Sequence, residues 1–223
     1  MKKLFIIANW KSNKTLDEAK DWLNKFSDHL KSESIDLSNK EIIICPSFTL
    51  LGFLSDLNRS LNLPIKLGAQ DISPFDQGAY TGEIYGGQIK ELADYAIIGH
   101  SERRQNFNES DETIFKKADQ ARKFAVIPVF CIQNENTTIP ENISVIAYEP
   151  PSAIGTGHPD TPENADKIAE MVKSKYNTQF VLYGGSVKSE NVKSFSDMPN
   201  IDGFLVGGAS LNPSDFFQIV KNA

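Results

Sequence analysis

The sequence predicts an α/β fold, a closed (β/α)8 barrel that forms a single domain over residues 1–223. Eight short apolar segments mostly alternate with helical ones, and this alternation favours a parallel sheet with helices outside it. No segment carries a dinucleotide-binding fingerprint, so the eight units favour a closed barrel over an open sheet. The chain has 223 residues, of which 40% are hydrophobic and 23% charged, which is enough for a sizeable core.

The strands are predicted from apolar runs that end at polar or turn-forming residues. They cover residues 4–8, 41–45, 65–69, 95–98, 126–131, 143–147, 180–183 and 203–206. In such a barrel, catalytic groups lie just past the carboxyl ends of the strands, so the residues after each run are the candidates for function.

The helices are predicted from apolar residues at helical spacing and from capping residues at their starts. Thr15 precedes the first helix, whose apolar positions are 16, 19, 23, 26 and 30. A helix from Thr161 to about Tyr176 and a final helix at Asn212 both begin with a capping residue followed by proline. The other helical segments are residues 49–57, 85–92, 111–124 and 189–195.

The connection between the fifth and sixth strands breaks the pattern, because only residues 133–142 lie between them. Parallel crossovers usually need about a dozen residues or more, commonly with a helix. Thr137, Thr138 and Pro140 disfavour a regular helix in this segment. We therefore predict a shortened connection here, with the outer face of these two strands thinly covered.

Charge and cysteine content restrict the class of protein. The net charge of −6 disfavours broad affinity for nucleic acid or for anionic membranes. Cys45 and Cys131 each close an apolar run, so we expect two buried free thiols, as in a reducing compartment. The first apolar run is too short for a signal peptide and no segment has transmembrane length, so we expect a cytoplasmic protein.

The most informative stretch is residues 143–157, in which a predicted strand ends on Glu149. Two prolines follow, and then the glycines of a Gly-Thr-Gly segment, which permit hinge conformations. This order suggests a general base beneath a lid formed by residues 150–157. An ordinary surface loop, with Glu149 solvated, is the alternative that this stretch leaves open.

Other unusual residues also follow predicted strands. Lys11 lies after the first strand and His100 after the fourth, while glycine pairs at 184–185 and 207–208 follow the seventh and eighth. Phosphate commonly binds after the seventh and eighth strands of this fold, at backbone N–H groups. Alone, Lys11 fits a solvated surface lysine and the glycines fit tight turns. Together with His100 and Glu149, they indicate a catalytic site for a phosphorylated substrate.

The chain resembles the triosephosphate isomerase family over nearly its whole length. Eight segments in order carry the resemblance: ANWK at 8–11, GAQD at 68–71, GAYTGE at 78–83, IIGHSERR at 97–104, AYEP at 147–150, AIGTG at 153–157, YGGSV at 183–187 and LVGGASL at 205–211. Each segment is weak alone, but the ordered set is highly specific. The family implies a TIM barrel that interconverts dihydroxyacetone phosphate and D-glyceraldehyde 3-phosphate through an enediol(ate), in glycolysis and gluconeogenesis, without a cofactor or a metal.

The resemblance also implies roles for individual residues. Glu149 would be the base, His100 the neutral electrophile and Lys11 the fixed positive charge. Asn9 would donate a hydrogen bond to substrate, and Glu102 would orient Lys11 from a second layer that also includes Ser101. The substrate-binding positions are Asn9, Lys11, Gly155, Ser186, Gly207 and Gly208.

The family further implies a homodimer, in which residues 70–83 form a loop that reaches into the partner subunit. This chain departs from the family after Pro150, where Pro151 and Ser152 replace the usual Val-Trp, and at His158. Two rival functions are a non-catalytic binder of phosphometabolites and another phosphosugar barrel such as an aldolase. The first has no need for His100 with Glu149, and the second would require a Schiff-base lysine inside a strand or a metal cluster.

Overall fold

A computed structural model describes residues 2–223 and shows a closed barrel of parallel strands. The strands pair in chain order, and the eighth pairs with the first. The strands are β1 (Leu4–Asn9), β2 (Lys40–Cys45), β3 (Ile65–Ala69), β4 (Tyr95–Ile98), β5 (Ile127–Ile132), β6 (Val145–Tyr148), β7 (Phe180–Tyr183) and β8 (Gly203–Val206). The predicted (β/α)8 barrel is therefore confirmed.

The helices surround this barrel. They are α1 (Leu16–Ser32), α2 (Phe48–Leu61), α3 (Gly86–Lys90), α4 (Ser101–Phe107), α5 (Asp111–Lys123), α6 (Pro162–Tyr176), α7 (Val192–Ser196) and α8 (Pro213–Asn222), with a 3₁₀ helix at Gly208–Leu211. The caps predicted from sequence are confirmed: the side chains of Thr15, Thr161 and Asn212 all accept a backbone N–H of the first turn.

Sequence reasoning placed four strands correctly, β3, β4, β7 and β8, but it missed α4 and the 3₁₀ helix. It also began β6 at Ile143, whereas this strand begins at Val145. The reason is register, because Val145 pairs with Val129 on one side and with Phe180 on the other. The carbonyl of Ile143 instead accepts the hydroxyl of Thr178, outside the ladder.

Successive side chains of each strand point alternately into the barrel and out towards the helices, and this divides the core into two buried clusters. In β1, Phe5 and Ile7 belong to the cluster that fills the barrel. Ile6 and Ala8 belong to the larger cluster between the strands and the surrounding helices. The two predicted free thiols, Cys45 and Cys131, are confirmed as buried and unpaired with each other, and both lie in the barrel cluster.

The connection from β5 to β6 contains no regular helix, as the sequence predicts. The expected thin cover is nevertheless wrong, because Phe130 and Ile146 on the outer face of these strands are both fully buried. Ile139 and Ile143 from the connection itself lie in the same buried cluster, only 6% and 5% exposed. The irregular connection thus contributes two buried side chains to the layer outside the barrel, and Phe115 of α5 packs against Phe130 with ring centroids 6.4 Å apart.

Within residues 2–223, every helix is too short or too polar to cross a membrane.

Candidate active site

A cavity of about 210 Å³ opens where the carboxyl ends of the strands meet. All of the residues that the sequence assigned to catalysis or to substrate binding line it, namely Asn9, Lys11, His100, Glu149, Gly155, Ser186, Gly207 and Gly208. They come from the ends of β1, β4, β6, β7 and β8, so barrel closure brings together groups that are distant in the chain.

Glu149 directly follows β6 and is only 2% exposed, which excludes the alternative of a solvated surface carboxylate. Its Oε2 accepts the backbone N–H of Ser101 at 2.9 Å, and its Oε1 lies 2.9 Å from Nε2 of His100. A Cβ at Gly184 would lie 3.2 Å from Cγ of Glu149, so a side chain at that position would crowd the carboxylate. Both carboxylate oxygens are therefore held by protein groups.

His100 is the N-cap residue of α4, and its Nδ1 accepts the backbone N–H of Glu102 at 3.2 Å. Because Nδ1 acts as an acceptor, the neutral ring carries its proton on Nε2, the nitrogen that faces Glu149. The start of α4 thus sets both the tautomer and the orientation of the imidazole.

Opposing influences act on the pKa of His100. Burial lowers this pKa, but the neighbouring Glu149 carboxylate, with a smaller contribution from Glu102, raises it by more. The pKa of His100 consequently lies above its ordinary value while Glu149 remains in contact. Removing that contact leaves burial as the main influence and favours the neutral ring.

Lys11 has a left-handed backbone, with φ of 53°, which residues other than glycine rarely adopt. Its N–H donates to Oδ1 of Asn9 at 3.0 Å, and its carbonyl accepts Nε2 of Gln70 at 2.9 Å. Its ammonium group forms an ion pair with Glu102. These contacts hold the strained backbone and keep the Lys11 side chain at the cavity.

The residues expected to bind phosphate surround another part of the cavity. Gly207 joins β8 to the 3₁₀ helix, which begins at Gly208. A Cβ at Gly208 would meet nothing within 4 Å, so its backbone is open to a ligand. Ser186 follows β7 and donates its hydroxyl to the carbonyl of Ala153 at 2.6 Å. Gly155 belongs to the predicted lid.

The predicted lid, residues 150–157, is a series of turns attached at both ends. Near its start, Ala153 is fully buried and its N–H donates to the carbonyl of Pro150. Beyond its end, the N–H of Asp160 donates to the hydroxyl of Tyr183 at 2.7 Å. Gly155 and Gly157 have φ values of 68° and 77°, with open space where a Cβ would lie.

Sequence reasoning missed several contributions to the site. It placed Gln70 only in the predicted dimer loop and gave it no role at the site, although the residue directly follows β3 in the GAQD segment. It also missed α4, whose first residues position His100 and Glu149. Further residues that line the cavity without a predicted role are Val187, Lys188, Leu205 and Ala209.

Comparisons with known proteins agree with this geometry. A family model described as triosephosphate isomerase matches residues 4–223. The chain is 39% identical over 247 aligned positions to a triosephosphate isomerase of Mesomycoplasma hyopneumoniae strain 7448, with all of both chains covered. It is 38% identical to those of Dictyoglomus turgidum, with full coverage of both chains, and of Trichodesmium erythraeum, with 99% of each covered. The chain therefore belongs to the triosephosphate isomerase family.

Proposed function

We propose that Glu149, His100 and Lys11 carry out the isomerisation of triose phosphates, the reaction of the family to which this chain belongs. Dihydroxyacetone phosphate and D-glyceraldehyde 3-phosphate interconvert through an enediol(ate) when one proton moves between adjacent carbons. The observation that carries the assignment is the cavity, which a carboxylate, an imidazole, an ammonium group and open glycine backbone line together.

Glu149 is the base in this proposal. Its carboxylate is buried, so little water competes for it once the cavity is filled. In the free protein, however, both of its oxygens are bound, one by Ser101 and one by His100. Substrate must therefore displace at least the His100 contact. Because Pro150 restricts the backbone beside it, we assign that movement mainly to the Glu149 side chain.

His100 donates a hydrogen bond to the two substrate oxygens. Once Glu149 releases Nε2, this N–H donor is free to polarise the substrate carbonyl and stabilise the developing enediolate. The N–H of Glu102 continues to occupy Nδ1, which favours the neutral imidazole. The exchange of partners thus converts His100 from a partner of Glu149 into an electrophile.

Lys11 supplies fixed positive charge to the phosphate and to the enediolate. Glu102 pairs with its ammonium group and orients it. Oδ1 of Asn9 is occupied by the Lys11 N–H, so the NH₂ group of Asn9 is the part that donates to substrate. The net charge of the chain is −6, and Lys11 provides the local positive charge that an anionic substrate requires.

The phosphate is bound by four residues, which we call the phosphate cradle: Gly155, Ser186, Gly207 and Gly208. Backbone N–H groups beside the 3₁₀ helix and in the lid donate to the phosphate oxygens, for which glycine permits close approach. Gly155 makes the cradle part of the lid, so binding of phosphate and closing of residues 150–157 are coupled.

The active form is a homodimer assembled through residues 70–83. Most of this loop is exposed, including Phe75 and Tyr80, which are 42% and 44% exposed. Their rings stack with centroids 4.2 Å apart, which forms a flat aromatic surface suited to burial against a partner. Thr81 is exposed beside them.

Residues 1–223 act as one catalytic domain, because the site draws on strand ends from β1 to β8. The proposed location is the cytoplasm, which the two buried free cysteines support. Fractionation of cells that produce the protein tests this location.

Coupled assays in both directions test the catalytic assignment. Glu149→Gln and His100→Gln should each lower kcat by about 10²-fold or more, the scale of general acid–base catalysis. Inhibition by inorganic phosphate should change little, because neither side chain belongs to the phosphate cradle. A Glu149→Gln protein with the kcat of the parent would contradict the base role. A folded parent that binds phosphate without isomerising either triose would indicate the non-catalytic binder.

A further inference from the structure

The loop that joins β1 to α1 contains two lysines with left-handed backbone, Lys11 and Lys14, with φ of 53° and 73°. Glycine adopts this conformation readily, whereas a residue with a side chain does so at a cost. The strain at Lys11 is explained by its contacts in the cavity. Lys14 does not line that cavity, so its conformation requires a separate explanation.

The Lys14 side chain contacts a residue near the carboxyl terminus, Leu211. Its ammonium group donates to the carbonyl of Leu211 at 2.8 Å and lies 5.1 Å from the centroid of the Trp10 ring. Leu211 is the last residue of the 3₁₀ helix that begins at Gly208, within the phosphate cradle. A lysine at a helix end stabilises the final carbonyls, which have no partner within the helix.

A second hydrogen bond also joins a residue that follows β1 to the 3₁₀ helix. Nε1 of Trp22, on α1, donates to the carbonyl of Ser210 at 3.1 Å. The rings of Trp10 and Trp22 meet edge to face, with centroids 4.9 Å apart, and both are buried. The last two carbonyls of the 3₁₀ helix are thus both held by groups that follow β1.

We propose that Lys14 is a positioning residue that holds the 3₁₀ helix, and with it Gly207 and Gly208, in the place where their N–H groups meet the substrate phosphate. This inference rests on the proposed phosphate cradle. A 3₁₀ helix of one turn has poor internal hydrogen-bond geometry, so contacts from outside determine its position. Without the hydrogen bond from Lys14, binding of the phosphate would have to order this helix, and the affinity would fall by that cost.

The test uses three substitutions in the full-length protein. Lys14→Met keeps an unbranched side chain of similar length but removes the donor and the charge. Lys14→Arg restores both. Lys14→Gly also removes the hydrogen bond to Leu211, and glycine adopts the left-handed conformation without strain. This variant therefore separates loss of the hydrogen bond from any effect of backbone strain. Lys193→Met, at an exposed lysine paired with Asp197 on α7, is the control.

We expect Lys14→Met to raise both KM for glyceraldehyde 3-phosphate and Ki for inorganic phosphate by about five- to tenfold, part of the contribution of a charge-assisted hydrogen bond. The kcat should stay within about twofold, because the loss is in uniform binding. Lys14→Gly should show the same increase, whereas Lys14→Arg and Lys193→Met should remain close to the parent.

A Ki within twofold of the parent in folded Lys14→Met or Lys14→Gly overturns the role of Lys14, even if the melting temperature falls, because the contact then serves stability alone. A parent protein that inorganic phosphate does not inhibit competitively overturns the phosphate cradle, and this inference with it.

Discussion

Oε1 of Glu149 lies 2.9 Å from Nε2 of His100, so the proposed base and the proposed electrophile bind each other in the free protein. Each keeps a second partner from the start of α4, since Glu149 accepts the Ser101 N–H and His100 accepts the Glu102 N–H. Helix α4 therefore contacts both groups through the backbone of its first two residues. The contact between them also sets the protonation of the imidazole.

Replacing Glu149 by Gln should lower the pKa of His100 from above its ordinary value of about 6.5 to below it. In the parent, burial lowers this pKa, and the Glu149 carboxylate together with Glu102 more than compensates. Without that charge, burial dominates and the ring loses its proton at a lower pH. NMR titration measures the pKa, with His100→Gln to assign the signal. Glu190→Gln, at an exposed carboxylate, is the control. An unchanged His100 pKa in Glu149→Gln would show that the carboxylate does not raise it.

Replacing Glu149 by Asp should lower kcat far more than it changes the Ki for inorganic phosphate. The shorter side chain retreats by one methylene, and a displacement of about 1 Å can cost around 10²-fold in rate. The phosphate cradle is not altered by this substitution. Steady-state kinetics with phosphate as inhibitor measure both quantities. Equal kcat values for variant and parent would remove Glu149 from the role of base.

Deletion of residues 154–157 should leave a folded barrel that isomerises slowly and releases a larger share of inorganic phosphate per turnover. Ala153 and its contact with Ser186 remain, so the start of the lid stays attached. The tip that shields the enediolate from water is lost, however, and so is Gly155 of the phosphate cradle. The measurement is the ratio of phosphate released to triose isomerised. If this ratio equals that of the parent, the loop does not protect the intermediate.

Thr81→Arg should convert the proposed dimer into a monomer with little activity. Thr81 is exposed in the loop that also presents Phe75 and Tyr80. A buried arginine without a partner there would carry a large desolvation cost. Sedimentation velocity and the coupled assay measure the two effects. Ser34→Arg, at an exposed residue between α1 and β2, is the control. A monomeric variant with full activity would show that assembly does not support this site.

Ile139→Ala should destabilise the protein by about 2–5 kcal/mol, the range for truncation of a buried isoleucine. Ile139 is 6% exposed and belongs to the same buried cluster as Phe130 and Ile146. Ile127→Ala is the matched control, since Ile127 lies on β5 but is 36% exposed. Urea unfolding compares the two variants. Equal losses of stability would mean that burial of Ile139 contributes no more than the exposed Ile127 does.

The sequence alone predicted much of the fold because its signals are local. Apolar runs, capping residues such as Thr15 and Thr161, and the proline after Asn212 each act within a few residues of where they stand. The sequence did not predict α4 because this helix is short and its N-cap, His100, is not among the usual capping residues. The first residue of β6 was misplaced because pairing with β5 and β7, rather than apolar character, decides where a strand begins.

What the sequence by itself determined is the alternation of strands and helices and the identity of the residues that follow the strands. Side-chain chemistry at positions 11, 100 and 149 is a property of the chain alone. Only the tertiary structure decided that Glu149 contacts His100 and that Gln70 supports the strained backbone of Lys11. These relationships join residues far apart in the chain, and barrel closure and strand register set the distances between them.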